Sequence, residues 1–265
     1  MRVCLSRCSP RMPCVTVTGC GPNCLQFMLS FRNGGRRLRE LTLVHSSDLH
    51  IDNSRTTDEF HPLCRVVATA RDISADILIL AGDIFDHNRV PLELLDSVSR
   101  VLGDSGLEVV ILPGNHDCLS ADSVYRRGGV ASIPNVQVIG VDAEAFVFPD
   151  LDVEVWGRAH YDYRNHSPLA DPHPRSAARQ IAVAHGHWLR GDGDRHRGWL
   201  ITSDEIAATG SDYVALGHWP QAQAVGEGTV PAFYSGSPDL AGTVNVVRLG
   251  PKGVEIWRLP LADAE

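Results

Sequence analysis

The chain has 265 residues, 43% of them apolar, enough for one large α/β domain or two small ones with a real core. Its formal charge of −8 hides an asymmetry: residues 1–39 hold seven arginines and no acid, leaving 17 basic residues against 32 acidic ones, a net −15, over residues 40–265. An acidic body with a single lysine, Lys252, repels a phosphate backbone and disfavours long duplex DNA, and no uncharged apolar run reaches the roughly eighteen residues of a membrane span, so a soluble, cytoplasmic protein is expected.

Five cysteines (Cys4, Cys8, Cys14, Cys20, Cys24) crowd among Pro, Gly and Arg at the start of the chain without amphipathic period. Residues 1–39 therefore read as a disordered basic extension; a transit peptide and a thiol cluster are the alternatives. Residues 40–265 read as one domain, in which Cys64 and Cys118 are structural thiols.

From Leu41 onward, apolar runs alternate with helical patterns, the signature of α/β architecture. "LTLVHSSDLH" is a strand entering a polar loop, and Asp58 to Ser74 reads as an amphipathic helix. The strand "DILILAGDIFD" follows, then a helix opened by Pro91, then the strand "EVVILPGNHD". Continuous apolar runs of this kind are buried on both faces of a mainly parallel sheet. "AFVFPDLDVEVWG" and "TVNVVRLGPKGVEIWRLPL" read as hairpins. Between them lie the strand "QIAVAHGHW", a helix capped by Thr202 and Glu205, and the strand "YVALGHW".

The strand ends carry the chemistry: Asp48 and His50, then Asp83 and Asp86, then Asn115, His116 and Asp117, then His185, then His218. Each group sits at or just past the carboxyl end of an apolar strand, where open α/β sheets place their ligands. Singly, an Asp-x-His or a lone His signifies little; five in register do not arise by chance. Carboxylate, imidazole and amide oxygen together form a mixed N/O set suited to Mn²⁺, with Fe²⁺ or Zn²⁺ as alternatives. Gly82, Gly114 and Gly217 stand beside them, where backbone must turn or approach closely.

These residues resemble the calcineurin-like metallophosphoesterase superfamily, with its D-x-H, G-D-x-x-D, G-N-H-[DE], lone H and G-H-x-H. The flanks "HSSDLHI", "AGDIFD", "YVALGH" and "YSGSP" resemble the Mre11/SbcD nuclease branch. The resemblance spans roughly residues 41 to 260 and implies a two-sheet β-sandwich flanked by helices. It also implies two divalent ions: Asp83 bridging, Asp48 and His50 on one ion, Asn115, His185 and His218 on the other. His116 would protonate the leaving oxygen and Asp117 would orient it, with His45 and Asp86 as outer partners of the ligands.

Two departures qualify what the resemblance implies. "GHWPQ" stands where the nuclease branch has G-H-x-H-R-P-Q, so Pro220 occupies the place of a ligand; water, Gln221 or His187 are the candidates to fill it. The chain also stops about where that branch's catalytic core ends. The reading is a phosphodiesterase acting on a nucleotide or short nucleic acid. The alternatives are a nuclease subunit working with a partner ATPase, and a non-catalytic scaffold on the same fold.

Overall fold

The apolar runs become strands in the order in which they occur. The computed structural model describes residues 39–52, 62–191, 194, 196–251 and 253–262. β1 (Leu41–Ser46) leads through α1 (Pro62–Asp72) to β2 (Ile77–Ala81), and α2 (Leu92–Gly103) leads on to β3 (Glu108–Leu112). A short α3 (Val124–Arg127) and the strand β4 (Val136–Val138) follow. β5 (Ala145–Phe148) and β6 (Val153–Gly157) form the first expected hairpin, ahead of β7 (Arg179–His185). β8 (His187–Trp188) pairs with β9 (Leu200–Ile201) beside α4 (Ser203–Ala208), whose Thr202–Glu205 capping box is present. Then come β10 (Tyr213–Gly217), β11 (Gln223–Val225), β12 (Ala232–Tyr234), α5 (Pro238–Ala241) and the closing hairpin, β13 (Thr243–Gly250) with β14 (Gly253–Pro260).

Two six-stranded sheets result among the described residues, ordered β14-β13-β1-β2-β3-β4 and β11-β12-β10-β7-β6-β5. Their centres are parallel, as expected for β1, β2 and β3, and antiparallel pairs extend them: β13 lies against β1 with Leu41 opposite Leu249, and β5 lies against β6. The sheets share one core, because alternate residues of β7 and β10 face opposite ways. Ile181, Val183, Tyr213 and Ala215 pack with β1, β2 and β3, while Ala182, Ala184, Val214 and Leu216 pack with Ile206 of α4. Leu63, Val66, Leu95 and Val98 cover the other side of the first sheet from α1 and α2. The layers are helix, sheet, sheet, helix, the α/β sandwich expected.

The helix expected from Asp58 is described from Pro62 onward; Asp58 to His61 lie outside the described residues, and the helix ends before Ser74, which turns into the left-handed region at φ 52°. Pro91 stands one position earlier than expected, as the N-cap with extended ψ of 156°, so the first helical residue is Leu92. Leu38–Glu265 is one compact unit. Residues 1–38, with six of the seven arginines and all the cysteines of the basic extension, lie outside the described residues, as does Lys252.

Candidate functional site

The parallel centres aim both sheets' carboxyl ends at one place. In the first sheet, the loop after β1 is laddered onto the loop after β2 by Asp48 N–H to Gly82 O (3.0 Å), His50 N–H to Asp83 O (3.0 Å) and Ile51 N–H to Ile84 O (2.9 Å). In the second, His185 ends β7 directly opposite Gly217 of β10, so His185 and His218 emerge side by side with ring centroids 5.2 Å apart. The two sheets touch closely here. A Cβ on Gly217 would lie 1.8 Å from the Ala81 carbonyl oxygen, and one on Gly114 would lie 2.2 Å from Asp83 Oδ1, so both positions require glycine for close approach.

Asp48, His50, Asp83, Asn115, His116 and His218 line one open cavity of about 310 Å³, together with Pro220, Ser237 and Leu240. His185, fully buried, reaches it from beneath: its Nε2 is 3.1 Å from Asp83 Oδ2 and 3.1 Å from Asn115 Oδ1. Asn115 Oδ1 is also 3.1 Å from His218 Nδ1, and the His218 N–H donates to Asp48 Oδ1 at 3.0 Å. Donor atoms of Asp48, Asp83 and His185 lie within 4.8 Å of one another, as do those of His50, Asp83 and His116. Asp83 belongs to both groups. The seven residues Asp48, His50, Asp83, Asn115, His116, His185 and His218, expected to converge from separate strands, do so.

The backbone is strained at this place. Asp48 (φ 57°), His50 (φ 47°), Asp83 (φ 54°) and His218 (φ 96°) all occupy the left-handed region, at a cost of roughly 1–3 kcal/mol each for side chains other than glycine. Such outliers persist where surrounding structure over-determines them, and the ladder above does so.

The electrostatics ask for a cation. Asp48 and Asp83 are buried, and among the described residues neither pairs with Lys or Arg; Asp83 pairs with His185. Burial pushes the Asp48 carboxyl upward and the neighbouring Asp83 charge adds to this. Burial acts the same way on Asp83, but the charge and hydrogen bond of His185 hold its carboxyl well below the usual range. His185 resists the lowering effect of burial and is raised to about 9 by Asp83. The tautomer explains why: His185 Nδ1 faces the Ala81 carbonyl at 2.9 Å and must donate to it, so Nε2 meets two oxygens and needs either a proton or a shared cation there. His50 is arranged likewise, with Nδ1 3.0 Å from Asp86 Oδ1.

His116 sits at the exposed rim. Its Nδ1 donates to the Asp86 carbonyl oxygen at 2.8 Å, leaving Nε2 free, and its N–H donates to Asp83 Oδ1 at 2.9 Å. Asp86 therefore touches both His50 and His116, as expected of it. The Asp117 carboxylate makes no hydrogen bond to His116 among the described residues. It is fully buried, and its oxygens accept from Gly114 N–H (2.7 Å), Ile84 N–H (2.8 Å), Phe85 N–H (3.2 Å) and the Tyr125 hydroxyl (2.7 Å). Aspartate after G-N-H turns inward here and ties two loops together. His45 also lies away from the cavity, between the sheets, with Nδ1 2.9 Å from the Tyr213 hydroxyl. His187 lines a different pocket.

Three contributors escape sequence reasoning. Ser47 donates to Asp48 Oδ2 at 2.5 Å and is itself 2.8 Å from Ser235 Oγ, a chain that reaches from the end of β12 and holds the Asp48 carboxylate. Its only signal in the sequence is the stretch "YSGSP". His160, fully buried, supports the His185 backbone through Nε2 to the carbonyl oxygen at 2.8 Å. Leu240 of α5, 74% exposed, forms an apolar lip on the cavity; nothing in its sequence context marks it.

A UDP-2,3-diacylglucosamine hydrolase of Stenotrophomonas maltophilia (strain K279a) is 35% identical over 103 residues, covering 36% of this chain and 40% of that protein. The SbcD subunit of the SbcCD nuclease of Bacillus subtilis (strain 168) is 23% identical over 241 residues, covering 75% of this chain and 61% of that protein. The matched regions thus span less than two thirds of either relative. Among solved structures, TT1561 of Thermus thermophilus superposes with a TM-score of 0.57 at 14% identity, covering 83% of this chain and 99% of that one, which is a likeness of fold. The pattern of calcineurin-like phosphoesterases matches residues 41–222, a stretch that carries every strand-end residue described above, and the chain belongs to that family.

Proposed function

We propose that this chain is a metal-dependent phosphodiesterase, with Asp48, His50, Asp83, Asn115, His185 and His218 holding two divalent ions and His116 acting as general acid. The observation that carries the reading is the pair of buried carboxylates facing His185 Nε2 and Asn115 Oδ1 with no Lys or Arg partner among the described residues. Such a site is costly unless a cation neutralises it. The mixed oxygen and nitrogen donors fit Mn²⁺, with Fe²⁺ and Zn²⁺ as alternatives. When bound, such ions supply positive charge opposite the phosphoryl oxygens and lower the pKa of the attacking water.

The chain's own residues do the rest. Asp86 takes the Nδ1–H of His50, and its carbonyl takes that of His116, so both rings present Nε2, as a ligand from His50 and as a proton donor from His116. A protonated His116 gives its Nε2 proton to the oxygen that leaves phosphorus. The Ser235–Ser47–Asp48 chain and the Asp48 bond to the His218 N–H fix two candidate ligands against each other. Pro220 lines the cavity where the family pattern has a further histidine, so an ion held by Asp48, His50 and Asp83 would have three protein ligands.

The substrate class that fits best is a nucleotide or short nucleic acid, given the cavity of about 310 Å³ and the acidic body. A second reading, a nuclease subunit that borrows its DNA-binding surface from a partner ATPase, is favoured by the SbcD likeness over 75% of the chain. We place the protein in the cytoplasm, in keeping with the absence, among the described residues, of any helix long and apolar enough to cross a membrane.

The test uses the full chain stripped with chelator and reloaded with Mn²⁺, with bis(4-nitrophenyl) phosphate as substrate. Hydrolysis should be manganese-stimulated and collapse in His116→Ala and Asp83→Asn, both still folded by circular dichroism, with close to two ions per chain by elemental analysis. Absence of both bound metal and turnover would leave only a scaffold.

A further inference from the structure

On the far side of His218 lies a second, smaller cavity of about 80 Å³ that the catalytic reading does not use. His187 forms one wall, its ring 6.4 Å from that of His218, and Trp219, next in the chain after His218, forms another with its ring 5.6 Å from His187.

Its lining is cationic and pre-organised. The Arg190 guanidinium lies 5.5 Å from the Trp188 ring centroid and that of Arg197 lies 6.0 Å from the Trp219 centroid. Stacking of this kind holds a guanidinium in place while leaving its in-plane N–H groups for other partners. Arg190 gives one of them to Gln223 Oε1. Arg197 shares Asp194 at 3.5 Å, so one carboxylate already draws on the cavity. The segment "RGDGDRHR", 190–197, carries three arginines and two aspartates, a basic island in an otherwise acidic body. Tyr234 stiffens the wall, its hydroxyl donating to Gly186 O and accepting from Trp188 N–H, both at 2.7 Å.

Two polar atoms of the lining residues lack a hydrogen-bond partner among the described residues. His187 Nε2 and Trp219 Nε1 are buried without a hydrogen-bond partner, and the nearest acceptor recorded for His187, Asp194 Oδ1, is 3.6 Å away, beyond hydrogen-bond reach. The indole N–H is a donor only, so what satisfies it must bring an acceptor oxygen. A cavity of about 80 Å³ is several times the roughly 10–15 Å³ that a single water needs, room for a tetrahedral oxyanion.

We propose that this cavity is a second oxyanion subsite that holds a phosphate group of the substrate next to the one being cleaved. The proposal rests on the phosphodiesterase reading and names its substrate class: a diester that carries a neighbouring phosphate, such as a 5′-phosphorylated oligonucleotide. Arg190 and Arg197 contact the phosphate oxygens, and Trp219 donates to one of them.

Two measurements on the full chain test it. In the first, the metal-stripped protein is titrated with inorganic phosphate while tryptophan fluorescence is followed, because Trp188 and Trp219 line the cavity. A saturable change in the wild type should be lost or weakened at least tenfold in Arg190→Ala/Arg197→Ala, whose two side chains are surface-accessible enough to leave the fold intact, and weakened in Trp219→Phe, which keeps a ring but removes the donor. No saturable change up to 50 mM phosphate, or equal binding in the double variant, overturns the subsite. In the second, the Mn²⁺-loaded protein is given a dinucleoside monophosphate with and without a 5′-phosphate. The wild type should prefer the phosphorylated form by about tenfold or more in kcat/KM, and the double variant should show no preference while hydrolysing bis(4-nitrophenyl) phosphate at the wild-type rate. An unchanged preference in the double variant, or none in the wild type, refutes a substrate phosphate there. If the wild type hydrolyses no diester, the catalytic reading fails, and loss of phosphate binding in the double variant still supports an oxyanion site.

Discussion

Replacing Asp117 decides between a residue that serves His116 and one that holds two loops. Its carboxylate, fully buried, accepts from Gly114, Ile84 and Phe85 of the backbone and from the Tyr125 hydroxyl. Alanine would leave four buried donors unpaired at about 1–3 kcal/mol each, which reaches the whole stability of about 5–15 kcal/mol of an ordinary domain, so Asp117→Ala should not fold. Asparagine keeps one acceptor oxygen. Oriented to preserve the oxygen that takes Ile84, Phe85 and Tyr125, its amide would face the Gly114 N–H, one lost bond plus a donor–donor contact, or about 2–3 kcal/mol. With an m-value of about 3 kcal/mol/M in urea, the midpoint should fall by about 1 M. The assay is urea denaturation by circular dichroism beside bis(4-nitrophenyl) phosphate turnover without urea. Asp86→Asn supplies the contrast, since Asp86 touches both histidines at a partly exposed place: turnover should fall with the midpoint unmoved. If Asp117→Asn instead keeps the wild-type midpoint and loses turnover a hundredfold, Asp117 acts on the chemistry and the reasoning fails.

Gly217→Ala should yield insoluble protein or lose at least about 3 kcal/mol, because the added Cβ meets the Ala81 carbonyl at 1.8 Å and backbone cannot give way; Gly106→Ala, with open space but φ of 70°, should cost only about 1 kcal/mol by the same denaturation measurement. Burial holds the pKa of His45 and of His160 down to about 3. The unfolded chain therefore takes up these protons first as pH falls below about 6.5, and each histidine removes about 1.4 kcal/mol of stability per pH unit from there down to its folded value. Asp48 and Asp117, raised by burial, pull the other way, so the quantity to read is the difference in Tm slope between wild type and His160→Asn over pH 7 to 5; parallel slopes would show that His160 does not fold neutral. Mn²⁺ at about 100 times its Kd should add about 2.7 kcal/mol and raise Tm by roughly 5–11 °C for each site filled, relative to the chelated protein, with a smaller rise in Asp48→Asn; identical calorimetric scans would remove the case for resident metal.

The fold was legible wherever order is local. Helix and strand periods from Leu41 to Gly217 located the central strands of both sheets and the parallel order of β1, β2 and β3, and hairpin signals placed β5–β6 and β13–β14. What sequence did not disclose was the destination of those hairpins. β13 crosses the chain to pair with β1, Leu41 opposite Leu249, and that choice depends on a strand some 200 residues away rather than on anything within the hairpin. The short strands β4, β11 and β12, three residues each, were missed for a related reason: three residues are too few to show a period, and they are strands because an existing edge offers them hydrogen bonds.

At the site, residue types at strand ends were readable and their directions were not. Asp117 and His116 are neighbours in one motif, yet His116 faces the cavity and Asp117 faces the core; a loop has no period from which to infer that reversal. The left-handed backbone at Asp48, His50, Asp83 and His218 is equally silent in sequence. Aspartate and histidine enter this region more readily than most side chains, as Asp152 and Asp171 do outside the cavity lining, so what marks the site is that four such residues meet in one place. The strain also explains the surroundings. Asp48 is gripped by Ser47 and by the His218 N–H, and its own N–H is tied to Gly82, more restraint than a lone carboxylate needs for folding. Removing the Ser235 end of that chain, Ser235→Ala, should therefore leave stability within about 1 kcal/mol while weakening the first metal equivalent bound. Unchanged metal affinity would mean that Ser47 and the His218 N–H hold Asp48 without help from Ser235.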